Sequence, residues 1–448
     1  MRNTNMYYLV EQLSCFVLLV HVVLAANYVP TDVILLNCGA NGETSDPDGR
    51  KWSTDIGSKF ASSETNSIVS DATIQKPSIS ETPYMTARIF PSEFTYSFPL
   101  TSGRKFLRLY FYPADYPNLN ATTGVFSVKA GQYTLLKNFS AYDTITNLNY
   151  DFISIEYSIY VESGTLNVTF TPARDTPNSY AFINGIEVVS HPDIYSSVRT
   201  SMLVGTSRTF DIDNSTALEN VYRLNVAGHA ISANGDTGMF RKWVGDASYI
   251  FGAAVGVAVT TDPNIMISYP PGMPDYVAPV DVYKTARSMG PTPEINLGFN
   301  LSWYFDVDTG FSYLVRLHFC EIDPDITRHN QRVFEIFINN QTAQPDADVI
   351  AWATKSKVPV YKDYVVFLPS KSPRQDLWLK LHPNTFMKPH RYDAILNGVE
   401  IFKINSTGGN LAGTLPNPIQ KQDIIDPSRV LPHNSDKRKE AKLERRDI

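Results

Sequence analysis

Cysteine is nearly absent from this chain of 448 residues, which holds three: Cys15, Cys38 and Cys320. So few thiols cannot build a disulfide scaffold, so the fold has to rest on large hydrophobic cores. Histidine is scarce too, and the residues from His191 to His390 show no zinc spacing. Long apolar runs are missing after residue 27. The most apolar stretch, 250–260, has eleven residues, about half of what a bilayer requires, and reads as a buried strand or packed loop. No Gly-x-Ser-x-Gly elbow is present, and Asp306-Val307-Asp308-Thr309-Gly310 opens like a calcium loop without its later acidic ligands. We assign no catalytic residue, no metal and no cofactor. Net positive charge is also lacking. Residues 27–418 carry 30 basic and 38 acidic residues, a balance that argues against nucleic acid and favours a basic partner.

What the chain does contain, it contains twice. Arg50-Lys51-Trp52 followed by Asp55 returns as Arg241-Lys242-Trp243 followed by Asp246. Arg108-Leu109-Tyr110-Phe111 returns as Arg316-Leu317-His318-Phe319, and Ile183-Asn184-Gly185-Ile186-Glu187 as Leu396-Asn397-Gly398-Val399-Glu400. The order is kept while the offset grows from 191 to 208 to 213 residues, as expected of a duplicated domain whose second copy gained loops.

Both copies read as strands. Leu107, Leu109 and Phe111 share one face, as do Leu166, Val168 and Phe170; Phe334, Ile336 and Ile338 repeat the pattern, as do Leu377, Leu379 and Leu381. Tyr and Phe supply most of the 12% aromatic content and favour strands. Short strands separated by Gly, Pro, Asn and Asp clusters indicate an all-β chain of two tandem jelly-roll β-sandwiches. The expected divisions are a secretory leader over 1–26, a first domain over 27–190, a second over 200–405, and a linker with a charged tail over 406–448. The leader rests on Arg2, the apolar Phe16–Leu24 and the small Ala25-Ala26. Sequons at Asn120, Asn138, Asn167, Asn214, Asn300, Asn340 and Asn405 suit a secreted, glycosylated surface.

Leu35-Leu36-Asn37-Cys38-Gly39, Arg108-Leu109-Tyr110-Phe111 and Tyr180-Ala181-Phe182-Ile183-Asn184-Gly185-Ile186-Glu187-Val188 together resemble a malectin-like domain. With the second-copy motifs, residues 28–418 resemble the tandem malectin-like ectodomain of plant receptor kinases of the FERONIA type. The resemblance implies an extracellular binding module for cell-wall glycan of the pectin kind, for small basic signalling peptides, or for both, with a lipid-anchored co-receptor. Gly-rich and His-Arg-Asp kinase motifs are missing from the sequence, so kinase activity does not transfer. A truncated receptor and a secreted ectodomain acting as a peptide decoy both accommodate this; an extracellular glycosidase is the remaining alternative.

A sugar site on a sandwich needs open aromatic faces beside a few polar groups. Tyr110, Tyr112, Asp115 and Tyr116 form the best such cluster; the plainer reading is that Tyr110 and Tyr112 cover a sheet face. Pectin is polyanionic, which draws attention to Arg50-Lys51, Arg104-Lys105 with Arg108, and Lys388-Pro389-His390-Arg391. The Arg-Lys-Trp pairs fit a structural stack equally well. For a basic peptide, Glu321, Asp323 and Asp325 offer an acidic contact, with a solvated loop as the alternative. Cys38 and Cys320 read as two buried free thiols, with a cross-domain disulfide as the other option.

Overall fold

The structure, a computed structural model, describes residues 28–416 apart from 62–65, 163, 196–200, 253–254 and 263. The expected leader and the charged tail lie outside the described residues. Each copy is a β-sandwich. In the first, strands Phe94–Leu100, Gly164–Pro172, Val125–Ala130 and Tyr133–Ser140 form one sheet. The facing sheet holds Lys51–Thr54, Val33–Asn37, Gly185–Ser190, Gly103–Phe111 and Ile153–Val161, in that order. The second copy repeats this with Leu301–Asp308, Arg374–Pro383, Phe334–Ile338 and Gln341–Ala347 facing Val244–Gly245, Leu218–Asn225, Gly398–Ile404, Ser312–Phe319 and Val360–Phe367. Even the parallel pairing at the sheet end recurs, Leu36 opposite Ser53 and Leu224 opposite Val244.

The strand periodicity explains the cores. Leu107, Leu109, Phe111, Leu166, Val168 and Phe170 fill the first sandwich, and Leu317, Phe319, Ile336, Ile338, Leu379 and Leu381 the second. Alternation does not make the other sheet face polar, however. Phe106, Val189, Leu218, Leu314, Val365 and Phe402 form a third core with Tyr195 from the segment joining the copies and Met239 from the loop between Leu218–Asn225 and Val244–Gly245. Removing such a ring costs about 3–5 kcal/mol.

The copies are joined edge to edge. Strand Ile153–Val161 pairs antiparallel with Leu218–Asn225, Tyr157 opposite Glu219, which makes one continuous 13-stranded sheet. The equivalent edge of the second copy, Val360–Phe367, is covered by the joining segment. Ser201–Leu203 lies parallel to it, Met202 opposite Tyr364, and folds back onto Thr209–Phe210. An open strand edge there would template further pairing. Cys38 and Cys320 are free and buried in different sandwich cores, so the disulfide option falls. The apolar stretch near residue 255 is a surface edge, not a buried strand: Val257–Thr260 pairs with Thr285–Ser288 and Val257 stays 48% exposed. Among the described residues no helix is long and apolar enough to cross a membrane.

Candidate functional site

The repeated motifs first serve the fold. Asp55 accepts from Gly39 N at 2.7 Å, Arg88 Nε at 2.9 Å and the Tyr96 hydroxyl at 2.5 Å. Its counterpart Asp246 accepts from Ala227 N at 3.0 Å, Arg287 Nη2 at 2.7 Å and Trp303 Nε1 at 2.9 Å. Trp52 and Trp243 are buried, each under the guanidinium of its own motif, Arg50 and Arg241, 5.7 Å from the ring centroid. The Arg-Lys-Trp pairs are thus stacks, as in the structural reading.

At the junction, the strand registers line up a row of alternating charge. Glu187 stands opposite Arg108, and Arg108 opposite Glu156. In the second copy Arg223 stands opposite Glu400, then Arg316, then Asp363. Glu156 closes the gap between the copies. One oxygen accepts from Arg108 Nε at 2.6 Å and the other from Arg223 Nη2 at 2.8 Å. Glu187 takes Arg108 Nη1 at 2.7 Å and Arg50 Nη1 at 2.9 Å; Glu400 takes Arg223 Nε at 2.8 Å. Burial pushes the Glu156 carboxyl up, but Arg223 and then Arg108 outweigh it and hold it down to about 2. Glu400 is likewise held low: Arg223 and His318 overcome its burial.

Above this row the two copies enclose a cleft of about 300 Å³. Arg108, Tyr110, Glu156 and Arg223 line its floor. Tyr150, 52% exposed, Phe240 and Lys242 stand on its walls, with Tyr222 edge-on to Tyr249 at 5.3 Å. The paired floor is neutralised. Lys242, on the wall, has no ion-pair partner among the described residues. The cleft therefore offers rings and one cation, a setting for a small anionic or sugar-like group.

The sequence-derived candidates fall elsewhere than expected. Tyr110, Tyr112 and Tyr116 are each 3% exposed. Their hydroxyls are spoken for: Tyr110 donates to Glu187 at 2.6 Å, Tyr112 to Ile74 O at 2.9 Å and Tyr116 to Tyr112 O at 2.8 Å. They cover a sheet and offer no open face to a pyranose; only Tyr110 reaches the cleft. Asp115 is exposed in a loop, its carbonyl accepting from Thr73. Glu321 is buried against Arg332, and Asp323 is shared between Arg332 and Arg391 at 3.3 and 2.7 Å. Asp325 also pairs with Arg391, so the acidic loop and the basic Lys388–Arg391 segment neutralise each other. Arg104, Lys105 and Arg108 are buried and paired, which removes them as pectin contacts. Asp306 and Asp308 grip Arg374, and Asp308 also Lys403, where the calcium reading would need a metal.

Of the sequons, Asn120, Asn138, Asn167, Asn214 and Asn340 are exposed, and Asn300 and Asn405 half-buried. Sequence reading missed Glu156, Arg223, Tyr222, Tyr249, Phe240 and Tyr150. Its available signal was a charge inside each of two strand-like runs, Glu156 and Arg223.

Comparison with known proteins places this architecture. The family model described as "Malectin-like domain" matches residues 36–404. The receptor-like protein kinase FERONIA of Arabidopsis thaliana is 59% identical over 410 residues, 91% of this chain and 46% of the relative. ANXUR1 of the same plant is 43% identical over 397 residues, 87% of this chain and 45% of the relative. The chain thus spans about half the length of the curated relatives it matches. The crystal structure of the plant receptor-like kinase FER superposes with TM-score 0.82 at 59% identity, covering 86% of this chain and all of that one. A structure of the plant peptide RALF23 in complex with FER and LLG2 gives TM-score 0.81 at 59% identity, covering 87% and 100%. The matched region is malectin-like throughout and contains no kinase domain. This chain belongs to the malectin-like family, as a tandem malectin-like ectodomain of the FERONIA receptor-kinase type.

Proposed function

We propose that this ectodomain captures a small basic signalling peptide outside the cell, together with a second, lipid-anchored protein, and passes the event to a kinase on the same or a partner chain. One observation carries the reading: a chain 59% identical to this one, matched over its whole length, was crystallised with the peptide RALF23 and with LLG2. The acidic balance of residues 27–418 favours a cationic ligand at long range. Glu321, Asp323 and Asp325 supply less of that attraction than their number suggests, because Arg332 and Arg391 already neutralise them. A secreted form lacking a kinase would act as a decoy through the same surface. The test is light scattering of the purified ectodomain mixed with a basic peptide and a co-receptor ectodomain. The reading expects a ternary mass that needs all three components; a mixture that stays at the separate masses contradicts it.

A second reading is favoured by the cleft: an acidic wall sugar seated between Tyr150 and Tyr249 and held by Lys242. Lys242→Glu is expected to weaken oligogalacturonide binding at least tenfold and leave peptide binding unchanged. Equal binding by the variant would rule out the cleft as the sugar site.

A further inference from the structure

The outer face of the second sandwich carries a row of half-buried rings, with no further strand or helix of the described residues laid over it. Strand register sets Tyr304 beside Trp378, with ring centroids 5.6 Å apart, and Lys380 between Ser302 and Phe337. Lys380 Nζ lies 5.0 Å from the centroid of Trp378. Phe251, half exposed, meets Trp378 edge-on at 5.2 Å and closes one side of it. On the other side a concavity of about 260 Å³ is lined by Asn300, Phe337, Asn340, Lys380 and His382.

Among the described residues the first copy has nothing comparable. Tyr96 and Trp303 both reach their copy's anchoring aspartate, which aligns the two sheets. In that alignment Tyr304 takes the place of Ser97, and Trp378 that of Asn167. Thr95, Ser97, Asn167 and Thr169 form a face of small polar groups. An uncovered aromatic row in its place invites association.

Two sequons, Asn300-Leu301-Ser302 and Asn340-Gln341-Thr342, open onto the same concavity. Asn340 is exposed at the tip of the hairpin between Phe334–Ile338 and Gln341–Ala347. Asn339 and Asn340 form its two-residue turn with φ of 50° and 60°, a geometry that favours Asn. The register puts Phe337 directly across from Thr342, the sequon hydroxyl. Asn340 Oδ1 accepts from Lys380 Nζ at 2.8 Å. An ammonium only donates, so this bond fixes which way the amide faces. Nδ2, the atom a glycan is attached to, has no protein hydrogen-bond partner among the described residues.

We propose that the outer face of the second sandwich is the seat of the protein's own N-linked glycan on Asn340, whose first sugar packs into the Phe337–Lys380–His382 concavity. A pyranose has an apolar face for a ring and hydroxyls for Lys380 and His382, the two kinds of group found there. The glycan is then part of the fold, and Trp378 and Tyr304 are shielded from soluble wall polymers.

The test uses the ectodomain secreted from a eukaryotic host, with glycopeptide mass spectrometry and thermal unfolding. Thr342→Ala removes the sequon and leaves the Asn turn intact; Thr342→Ser keeps both. Asn340 is expected to be occupied, and its glycan to resist release by a peptide N-glycosidase, which cleaves at the Asn Nδ2 bond, in the native protein while glycans at Asn120 and Asn138 are released. Thr342→Ala is expected to lower the second sandwich's Tm by about 2–4 °C, Thr342→Ser to leave it unchanged, and Phe337→Ala to abolish the difference made by the glycan. An empty Asn340 overturns the proposal, as does native release at the rate of Asn120 with an unchanged Tm in Thr342→Ala.

Discussion

Glu156→Gln is the sharpest probe of how the two copies are held together. The carboxylate belongs to the first copy and bridges its Arg108 to Arg223 of the second at 2.6 and 2.8 Å. Its titration is displaced from 4.5 to about 2, and its side chain is only 11% exposed, so screening discounts little of the effect. At 1.36 kcal/mol per unit, a displacement of this size corresponds to about 3 kcal/mol of folded-state stabilisation at neutral pH. Glutamine keeps the size, and Arg108 and Arg223 retain Glu187 and Glu400, so no arginine is stranded. Calorimetry at pH 7 is expected to show the first transition lowered by about 6–12 °C. The sign follows from linkage. A carboxyl held below its unfolded value stabilises above about pH 4.5 and loses that contribution as pH falls towards 2. The gap between wild type and variant therefore narrows on acidification. A variant melting within about 1 °C of wild type at pH 7, or a gap that widens in acid, would show that Glu156 does not hold the copies together.

Three further outcomes follow. His191 is stacked on Phe106 at 3.9 Å and kept neutral, its titration pushed down to about 3 chiefly by burial. The unfolded chain protonates this group below about 6.5, so stability falls by up to about 1.4 kcal/mol per pH unit between 6.5 and 3, and denaturant titrations of His191→Gln should show a shallower slope. Tyr110→Phe leaves the Glu187 oxygen short of a donor and should cost about 1–3 kcal/mol, whereas Tyr110→Ala opens a cavity worth about 3–5 kcal/mol; circular-dichroism melts separate these from a ligand role, which would leave stability untouched. Cys38 and Cys320, buried and pushed up by desolvation, should not react with a thiol reagent in the native protein, and both should react in denaturant.

How far the sequence could be read depended on the kind of feature. The sandwich cores were legible because alternation at Leu107, Leu109 and Phe111, or Leu377, Leu379 and Leu381, is a local signal, and the duplication showed that each core is built twice. The third core was not legible. Phe106 and Leu314 face away from their own sandwiches, and only the return of the joining segment over the sheet explains why they are apolar. Charge pairing was invisible for the same reason. Asp323 and Arg391 are far apart in sequence yet 2.7 Å apart in space, so a basic patch and an acidic loop counted separately turn out to be one neutral cluster. The tyrosine cluster failed as an open platform on burial alone: a residue between two strands cannot show from its own sequence whether a third element will cover it. Glu156 was a charge in a strand-like run, and its meaning depended on which edge pairs with which.

Calorimetric titration of the 27–418 fragment with a basic signalling peptide, at low and raised salt and with the co-receptor ectodomain present, decides whether this ectodomain captures a peptide. A peptide-capturing ectodomain binds at low salt, more weakly at raised salt, and tightest with the co-receptor. Heats indistinguishable from dilution under all of these conditions, with the protein folded by circular dichroism, would contradict it.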